Sequence, residues 1–277
     1  MNGEITAAVQ LRLDSIEGML PELEQRLLDL QQGDLGVLKK SNAFDLVTKA
    51  DVESEAQLVG HIREHFSEDR IVAEEGGADA DHQDAGQFVW VLDPIDGTTN
   101  FANGLPFWGI SIALMLAGEL VGAIVSAPGL GLRYRATRGE GAKRNGVAIS
   151  VNNNASMGDG IIATGFPYDR ANRAEPICRA MENILRTAGG VRRLGAASLD
   201  FCFLADGRYT GYYEMGLKPW DYAAGVLVAE ETGAKVTDFE NQPLDIFKSK
   251  GAVVSNGKVH DELLKQVQPM LDAIAVR

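Results

Sequence analysis

The chain has 277 residues, 45% of them hydrophobic, enough to bury a large core as one big domain or two closely joined halves. Acidic side chains outnumber basic ones by 39 to 26, and the net charge of -13 argues against a general surface for nucleic acid or anionic membrane, since both polyanions are repelled at long range. A phosphorylated substrate would then need a local source of positive charge, which cations bound among carboxylates can supply.

Residues 5–30 place Leu11, Ile16, Leu20, Leu23, Leu27 and Leu30 at roughly helical intervals, which predicts two core-facing helices broken at Pro21. A polar loop around Lys39, Lys40, Ser41 and Asn42 leads into a second amphipathic pattern over 51–66, carried by Val52, Leu58, Val59, Ile62 and Phe66. The period then changes. Residues 70–73, 88–92, 110–116 and 120–126 are short β-rich runs, and Ala117-Gly118-Glu119 predicts a hairpin. Residues 132–137, and 147–151 after Asn145-Gly146, extend the antiparallel pairing and argue against a purely parallel sheet.

The second half reads as strand 161–164, helix 174–187, strand 191–194, helix 196–205, strand 209–213 and helix 221–231. Strands 234–237 and 252–255 follow, and an amphipathic helix over 258–274 closes the chain. This order fits an α+β fold, a layered αβαβα sandwich with mixed, largely antiparallel sheets. No internal repeat or long linker stands out, and the acidic stretch 75–87 is the nearest thing to an insertion loop. The boundary between halves is placed near residue 150, giving 1–150 and 151–277. Cys178 and Cys202, both in helix-like segments without a partner at metal-ligand spacing, read as reduced core thiols. The N-terminal MNGEITAAVQ has no basic stretch followed by an apolar one, and no run of about 18 apolar residues occurs, so the expectation is a soluble, cytoplasmic protein.

Chemistry concentrates in Trp90-Val91-Leu92-Asp93-Pro94-Ile95-Asp96-Gly97-Thr98-Thr99-Asn100-Phe101. Pro94 fixes one torsion and Gly97 permits a sharp turn, so Asp93 and Asp96 can bend toward one point beside the Gly97 and Thr98 amides, which become available to an anion. Two ionised carboxylates that close repel each other, and the pair is stable at neutral pH chiefly with a cation between them. Magnesium suits such a turn because it takes oxygen ligands and commonly binds through one or two carboxylates plus substrate phosphate. The competing reading is a surface Asx turn with charged flanks, which the following Gly97-Thr98-Thr99 weakens.

Four motifs in order resemble the inositol monophosphatase family: Asp45-Leu46-Val47-Thr48-Lys49-Ala50-Asp51, Ala73-Glu74-Glu75, the run from Asp93 to Phe101, and Trp220-Asp221-Tyr222-Ala223-Ala224-Gly225. Together they span most of the chain. The resemblance implies a fold like that of inositol monophosphatase and fructose-1,6-bisphosphatase, and an Mg2+-dependent phosphatase with two or three ions per subunit. It implies that Glu74, Asp93 and the Ile95 carbonyl hold one magnesium and that Asp93, Asp96 and Asp221 hold a second, with Asp93 bridging and a third, weaker ion near Glu74. Thr98 with Asp51 would orient or deprotonate the attacking water, and the amides of Gly97 and Thr98 would grip phosphate.

Each assignment has a plainer rival. Glu74-Glu75 could be a solvated turn, Asp51 the N-cap of the next helix, and Asp221 a helix-start carboxylate beside a core Trp220. The family usually has glycine before the glutamate pair, where this chain has Ala73; the change matters only if that backbone torsion is positive.

The expected reaction is in-line displacement at phosphorus by a metal-activated water, with no covalent intermediate. No nucleophile constellation competes: His61, His65, His82 and His260 all lie outside the motifs, and His61 with His65, one helical turn apart, read more readily as solvated than as metal ligands. Gly195-Ala196-Ala197-Ser198 and Tyr212-Tyr213-Glu214-Met215-Gly216 resemble the family's substrate-facing segments. By motif position Glu214 would accept hydrogen bonds from polyol hydroxyls, with the Ala197 backbone and Asp96 or Asp221 nearby; a strand-end surface charge is the rival. Lys40, or its neighbour Lys39, falls in a loop that resembles a mobile, metal-assisting segment. The favoured substrate is myo-inositol 1-phosphate. Fructose 1,6-bisphosphate, a nucleotide bisphosphate and histidinol phosphate are alternatives, as is association with bacterial transcription machinery, which the charge does not indicate. A homodimer and lithium sensitivity are implied by resemblance alone.

Overall fold

In the computed structural model, which describes residues 1–33, 36, 38–39, 46–76 and 86–275, the N-terminal apolar residues recur in one phase. Val9, Leu13, Ile16, Leu20, Leu23 and Leu27 are buried along a single helix, α1 (Gly3–Gln31). The expected break at Pro21 does not occur. Proline removes one amide donor and leaves the Glu17 carbonyl without its helical partner, but the apolar stripe continues on both sides, and its burial outweighs that loss. A small antiparallel ribbon of β1 (Leu38–Lys39) and β2 (Leu46–Val47) precedes α2 (Lys49–His65).

A seven-stranded sheet follows in chain order: β3 (Arg70–Ala73), β4 (Phe88–Asp96), β5 (Gly109–Leu116), β6 (Glu119–Ala127), β7 (Leu132–Thr137), β8 (Gly141–Arg144) and β9 (Val147–Ala148). Only β3 and β4 are parallel neighbours. The short helix α3 (Thr98–Ala102) lies between β4 and β5. Ala117-Gly118 (φ 51° and 82°) and Asn145-Gly146 (φ 49° and 80°) take the left-handed geometry of two-residue hairpin turns.

The second half contributes β10 (Ile161–Thr164), α4 (Ala174–Thr187), β11 (Gly190–Arg192), α5 (Ala197–Ala205), β12 (Gly211–Met215), α6 (Pro219–Glu230), β13 (Lys235–Thr237) and β14 (Gly251–Ser255). Its sheet has the order β11-β10-β12-β14-β13, with β10 parallel to β11 and β12 and β14 antiparallel to both its neighbours. The single closing helix expected over 258–274 is instead two, α7 (His260–Gln266) and α8 (Pro269–Ala275), because Pro269 can start a helix but cannot continue one.

Alternation along the strands sorts side chains into layers. On β4, Trp90 and Leu92 face α1 and α2, whereas Val89 and Val91 face α5 and α6. On β12, Tyr212 faces that same central helix layer and Tyr213 faces the outer one, with α4, α7 and α8. The result is the five-layer αβαβα order. Because α5 and α6 lie between two sheets, they are apolar nearly all round, and residues 222–229 of α6 are all buried. Cys202 is buried there as expected; Cys178 is not in the core but exposed on α4, and both thiols are free. No helix among the described residues is long and apolar enough to cross a membrane.

The two central helices approach closely at Gly225, where a Cβ would fall 2.6 Å from Phe201 Cβ. Gly225→Val is expected to cost about 1–3 kcal/mol through overpacking, read as a lowered urea midpoint, with a smaller loss for Gly225→Ala.

Candidate active site

The site begins with an irregularity in β4. Asp93 pairs with Ser111 and Asp96 with Gly109, so three steps on β4 oppose two on β5. In a regular strand side chains three apart point to opposite faces; the extra residue of the bulge lets Asp93 and Asp96 line one cavity. The Ile95 amide donates to Asp93 Oδ1 at 3.0 Å. Gly97 then turns the chain with φ 92°, and a Cβ there would lie 3.0 Å from the Phe107 carbonyl, so both torsion and space require glycine. It caps α3 without a side chain, which leaves the first helical amides to be satisfied from outside the helix.

One face of α2 holds this turn in place. Asp51 is not the N-cap: Thr48 is, and Asp51 completes the capping box, its Oδ2 accepting from the Thr48 amide at 2.7 Å and hydroxyl at 2.6 Å. Asp51 Oδ1 accepts from Thr98 Oγ1 at 2.9 Å, while the same hydroxyl lies 3.1 Å from the Ile95 carbonyl; with one proton it serves only one of the two. Ser54 donates to the Pro94 carbonyl at 3.2 Å, and Glu55 Oε2 accepts from the Glu75 amide at 2.7 Å. Residues at i, i+3 and i+4 of one helix thus hold three segments of the site. Ser54 and Glu55 were not foreseen; their signal is polarity on the buried side of an amphipathic helix.

The second half is fastened to the same turn. Asp96 accepts from the Ala197 amide (3.2 Å), the Ser198 amide (2.7 Å) and the Ser198 hydroxyl (2.5 Å) at the start of α5. Asn100 donates to the carbonyls of Phe107 (2.6 Å) and Leu194 (2.8 Å), tying α3 to the segment before α5. Asp221, in the first turn of α6, accepts from the Lys218 amide at 2.7 Å, and Ser111 Oγ donates to the Trp220 carbonyl at 3.0 Å. Ser198 and Asn100 lie inside the motifs, and their roles arise from tertiary contacts that the motifs do not encode.

These bonds bring Glu74, Asp93, Asp96 and Asp221 together around a cavity of about 420 Å³. Asp93 and Asp96 are buried, Glu74 and Asp221 partly so. Burial, then repulsion from Glu74, Asp96 and Asp221, pushes the Asp93 carboxyl well above its usual range, and it shares a hydrogen bond with Glu74. Burial likewise pushes Asp96 up to about 6 against the opposing pull of its bonds from Ser198 and Ala197. Asp221 is raised well up by burial, with the Lys218 amide opposing and Glu74 adding repulsion.

The donor set is entirely oxygen: four carboxylates and, from Ile95, a carbonyl, without thiolate or imidazole. That chemistry suits a hard divalent cation such as magnesium and offers the charge to hold it. Among the described residues no three acidic, histidine or cysteine side chains already form a closed ligand cluster, so the match is one of donor type and charge. Ala73, the position where the family usually has glycine, ends β3 without a positive φ, so alanine is accommodated.

Glu214 lies within β12 and lines the same cavity, so it is not a solvated strand-end charge. Tyr212 donates to its Oε2 at 2.5 Å, and burial pushes its carboxyl up to about 7, with Tyr212 and Arg193 pulling the other way. A Cβ on Gly165 would fall 1.9 Å from that oxygen, so glycine there leaves the room Glu214 occupies. Gly97, Thr98 and Ala197 also line the cavity, as do Arg193 and Lys218, which sequence reasoning missed. Lys40 lies outside the described residues, as do Asp45, His82 and the side chain of Lys39. His61 and His65 stack ring on ring, and His61 bonds Ser15, far from the carboxylates in the fold. A larger cleft of about 830 Å³, between α1 and the β7–β8 hairpin, contains none of the predicted site residues.

Comparison with known proteins establishes the family and the fold. The sequence model of the inositol monophosphatase family matches residues 3–271, and the chain belongs to that family. It is 37% identical over 238 residues to the Nus factor SuhB of Pasteurella multocida, covering 84% of this chain and 86% of that one. Among solved structures, it resembles the Thermotoga maritima IMPase with a TM-score of 0.85 and 34% identity, covering 95% and 99% of the two chains. An IMPase/NADP phosphatase complexed with Mg2+ and phosphate aligns with a TM-score of 0.83 and 26% identity, over 94% of this chain and 95% of that one.

The raised carboxyls make a stability prediction. A group whose folded pKa exceeds its unfolded value contributes stability below the unfolded pKa, near 4, that is lost as pH rises through the folded value. In chelator-treated protein, Asp93→Asn is therefore expected to raise stability at pH 8 relative to pH 4 and to flatten the fall in stability with rising pH, measured by thermal denaturation. Equal destabilisation at both pH values would contradict the repulsion.

Proposed function

We propose that this chain is a magnesium-dependent phosphomonoesterase acting on a small polyol phosphate, with myo-inositol 1-phosphate as its simplest substrate. The observation that carries the reading is the convergence of Glu74, Asp93, Asp96 and Asp221 on one cavity beside the Asp51–Thr98 hydrogen bond. In this reading Glu74, Asp93 and the Ile95 carbonyl hold one ion, and Asp93, Asp96 and Asp221 another, for two or three per subunit. Bound there, magnesium would offset the carboxylate charge and polarise water and ester toward displacement at phosphorus.

The chain's own residues supply the rest. Asp51, fixed by Thr48, draws the Thr98 proton toward itself, so the hydroxyl's lone pairs can accept from a water molecule and orient it. Glu74 assists as a further acceptor near that water. The amides of Gly97 and Thr98, at the start of α3, are assigned to phosphate. Glu214, pre-set by Tyr212, accepts from hydroxyls of the alcohol, with Ala197, Asp96 and Asp221 alongside. Residues 1–150 are thus assigned cation and phosphate handling and 151–277 alcohol recognition, with Asp221 crossing between. A homodimer and lithium sensitivity belong to the same proposal, by family resemblance, as does a cytoplasmic setting, which the free thiols suit.

Phosphate release from inositol 1-phosphate should require Mg2+ and fall by about 10³-fold or more in Asp93→Asn, and by about 10²-fold in Thr98→Ala. Full activity after chelation would overturn the assignment. The likeness to a Nus factor favours a second role, association with transcription machinery. Asp93→Asn should keep any such partner in a pull-down from extract while losing hydrolysis; loss of both together would tie binding to the site.

A further inference from the structure

Asp96 is held differently from the other aspartates of the cavity. Among the described residues, Asp93 and Asp221 each accept from one backbone amide, that of Ile95 and that of Lys218. Asp96 accepts from three groups, divided unequally between its oxygens. Oδ2 takes both the Ser198 amide at 2.7 Å and the Ser198 hydroxyl at 2.5 Å, whereas Oδ1 takes the Ala197 amide at the longer distance of 3.2 Å. A carboxylate oxygen offers two lone-pair sites, so Oδ2 is fully engaged and Oδ1 keeps one site open.

Ser198 is itself held in place. It is fully buried in the first turn of α5, and that turn packs against α6 at Gly225, where a Cβ would fall 3.3 Å from the Ser198 carbonyl oxygen. Because α6 also carries Asp221, the serine stands between two elements that bring carboxylates to the cavity. Docking α5 onto Asp96 needs no hydroxyl, since the Ala197 and Ser198 amides already do it. The hydroxyl adds a second, charge-assisted bond to one oxygen, and that bond decides how many oxygens Asp96 can give to a cation.

We propose that Ser198 is a positioning residue that makes Asp96 a one-oxygen ligand, and that it thereby selects magnesium over calcium. The proposal rests on the cation reading above. Magnesium demands near-octahedral geometry, which a carboxylate giving both of its closely spaced oxygens to one ion distorts; calcium is larger, takes more oxygens and accepts such carboxylates readily. With Oδ2 engaged by Ser198, Asp96 has one oxygen to offer, which suits the smaller ion. Without the hydroxyl, Oδ2 regains a lone-pair site, and Asp96 can turn both oxygens toward the larger one.

The test is calorimetric titration of metal-free wild type and Ser198→Ala with Mg2+ and, separately, with Ca2+, in the absence of substrate. Ser198→Ala should lower the ratio of the Ca2+ to the Mg2+ dissociation constant by about tenfold, through weaker Mg2+ binding with Ca2+ binding equal or tighter. Ser198→Thr keeps the hydroxyl and should keep the wild-type ratio, while Ser198→Cys, a weaker donor, should fall between serine and alanine. A serine that only docked α5 would, on removal of its hydroxyl, lower the urea midpoint and weaken both ions by the same factor. That result, or an unchanged ratio, overturns the proposal and leaves the cation reading standing; a wild type that binds neither ion overturns both. Should Ser198→Thr fail to fold, the ordering of serine, cysteine and alanine gives the same readout.

Discussion

Burial of carboxylates, with mutual repulsion added, at the meeting point of Glu74, Asp93, Asp96 and Asp221 is the constraint around which the site is organised. Bringing four carboxylates to one cavity, two of them buried, opposes folding unless something offsets their charge. The chain offers backbone amides as partial compensation: Ile95 to Asp93, Ala197 and Ser198 to Asp96, and Lys218 to Asp221. These leave the carboxyls high in pKa, and a site that is costly to assemble without a cation is one that will bind a cation well.

The same hydrogen bonds serve architecture and chemistry. Asp96 docks the start of α5 onto the end of β4, which joins the two sheets through the central helix layer. Asp51 completes the capping box of α2 and also fixes the hydroxyl of Thr98. Under the proposed function, capping and the positioning of the Thr98 hydroxyl are therefore one interaction. In the proposed reading a substitution at either aspartate would weaken folding and turnover together, whereas Asp93→Asn would relieve repulsion in the fold while turnover falls.

Much of this was legible in the residues. Period and turn chemistry gave the layer order, and four motifs named the carboxylates, because each combines ligand-type side chains with a local signal such as Pro94 or Gly97. What escaped was set by tertiary contact. The bulge in β4 depends on its register with β5, which no local pattern encodes. Pro21 was read as a break because its cost is local while the burial that overrides it is not. Strands and helices buried on both faces, such as β4 and α6, lack the polar face that marks a boundary, so β4 was ended too early. Ser54, Glu55 and Ser198 matter through partners distant in sequence.

Calorimetric titration of the metal-free protein with Mg2+, in buffers of differing ionisation enthalpy at pH 6 and 8, addresses the convergence of carboxylates most directly. Carboxyls held above their usual range must lose protons to take a cation, so binding should release protons at pH 6, fewer at pH 8, and fail in Asp93→Asn. Absence of binding, or binding with the same proton count at both pH values and in the variant, would contradict it.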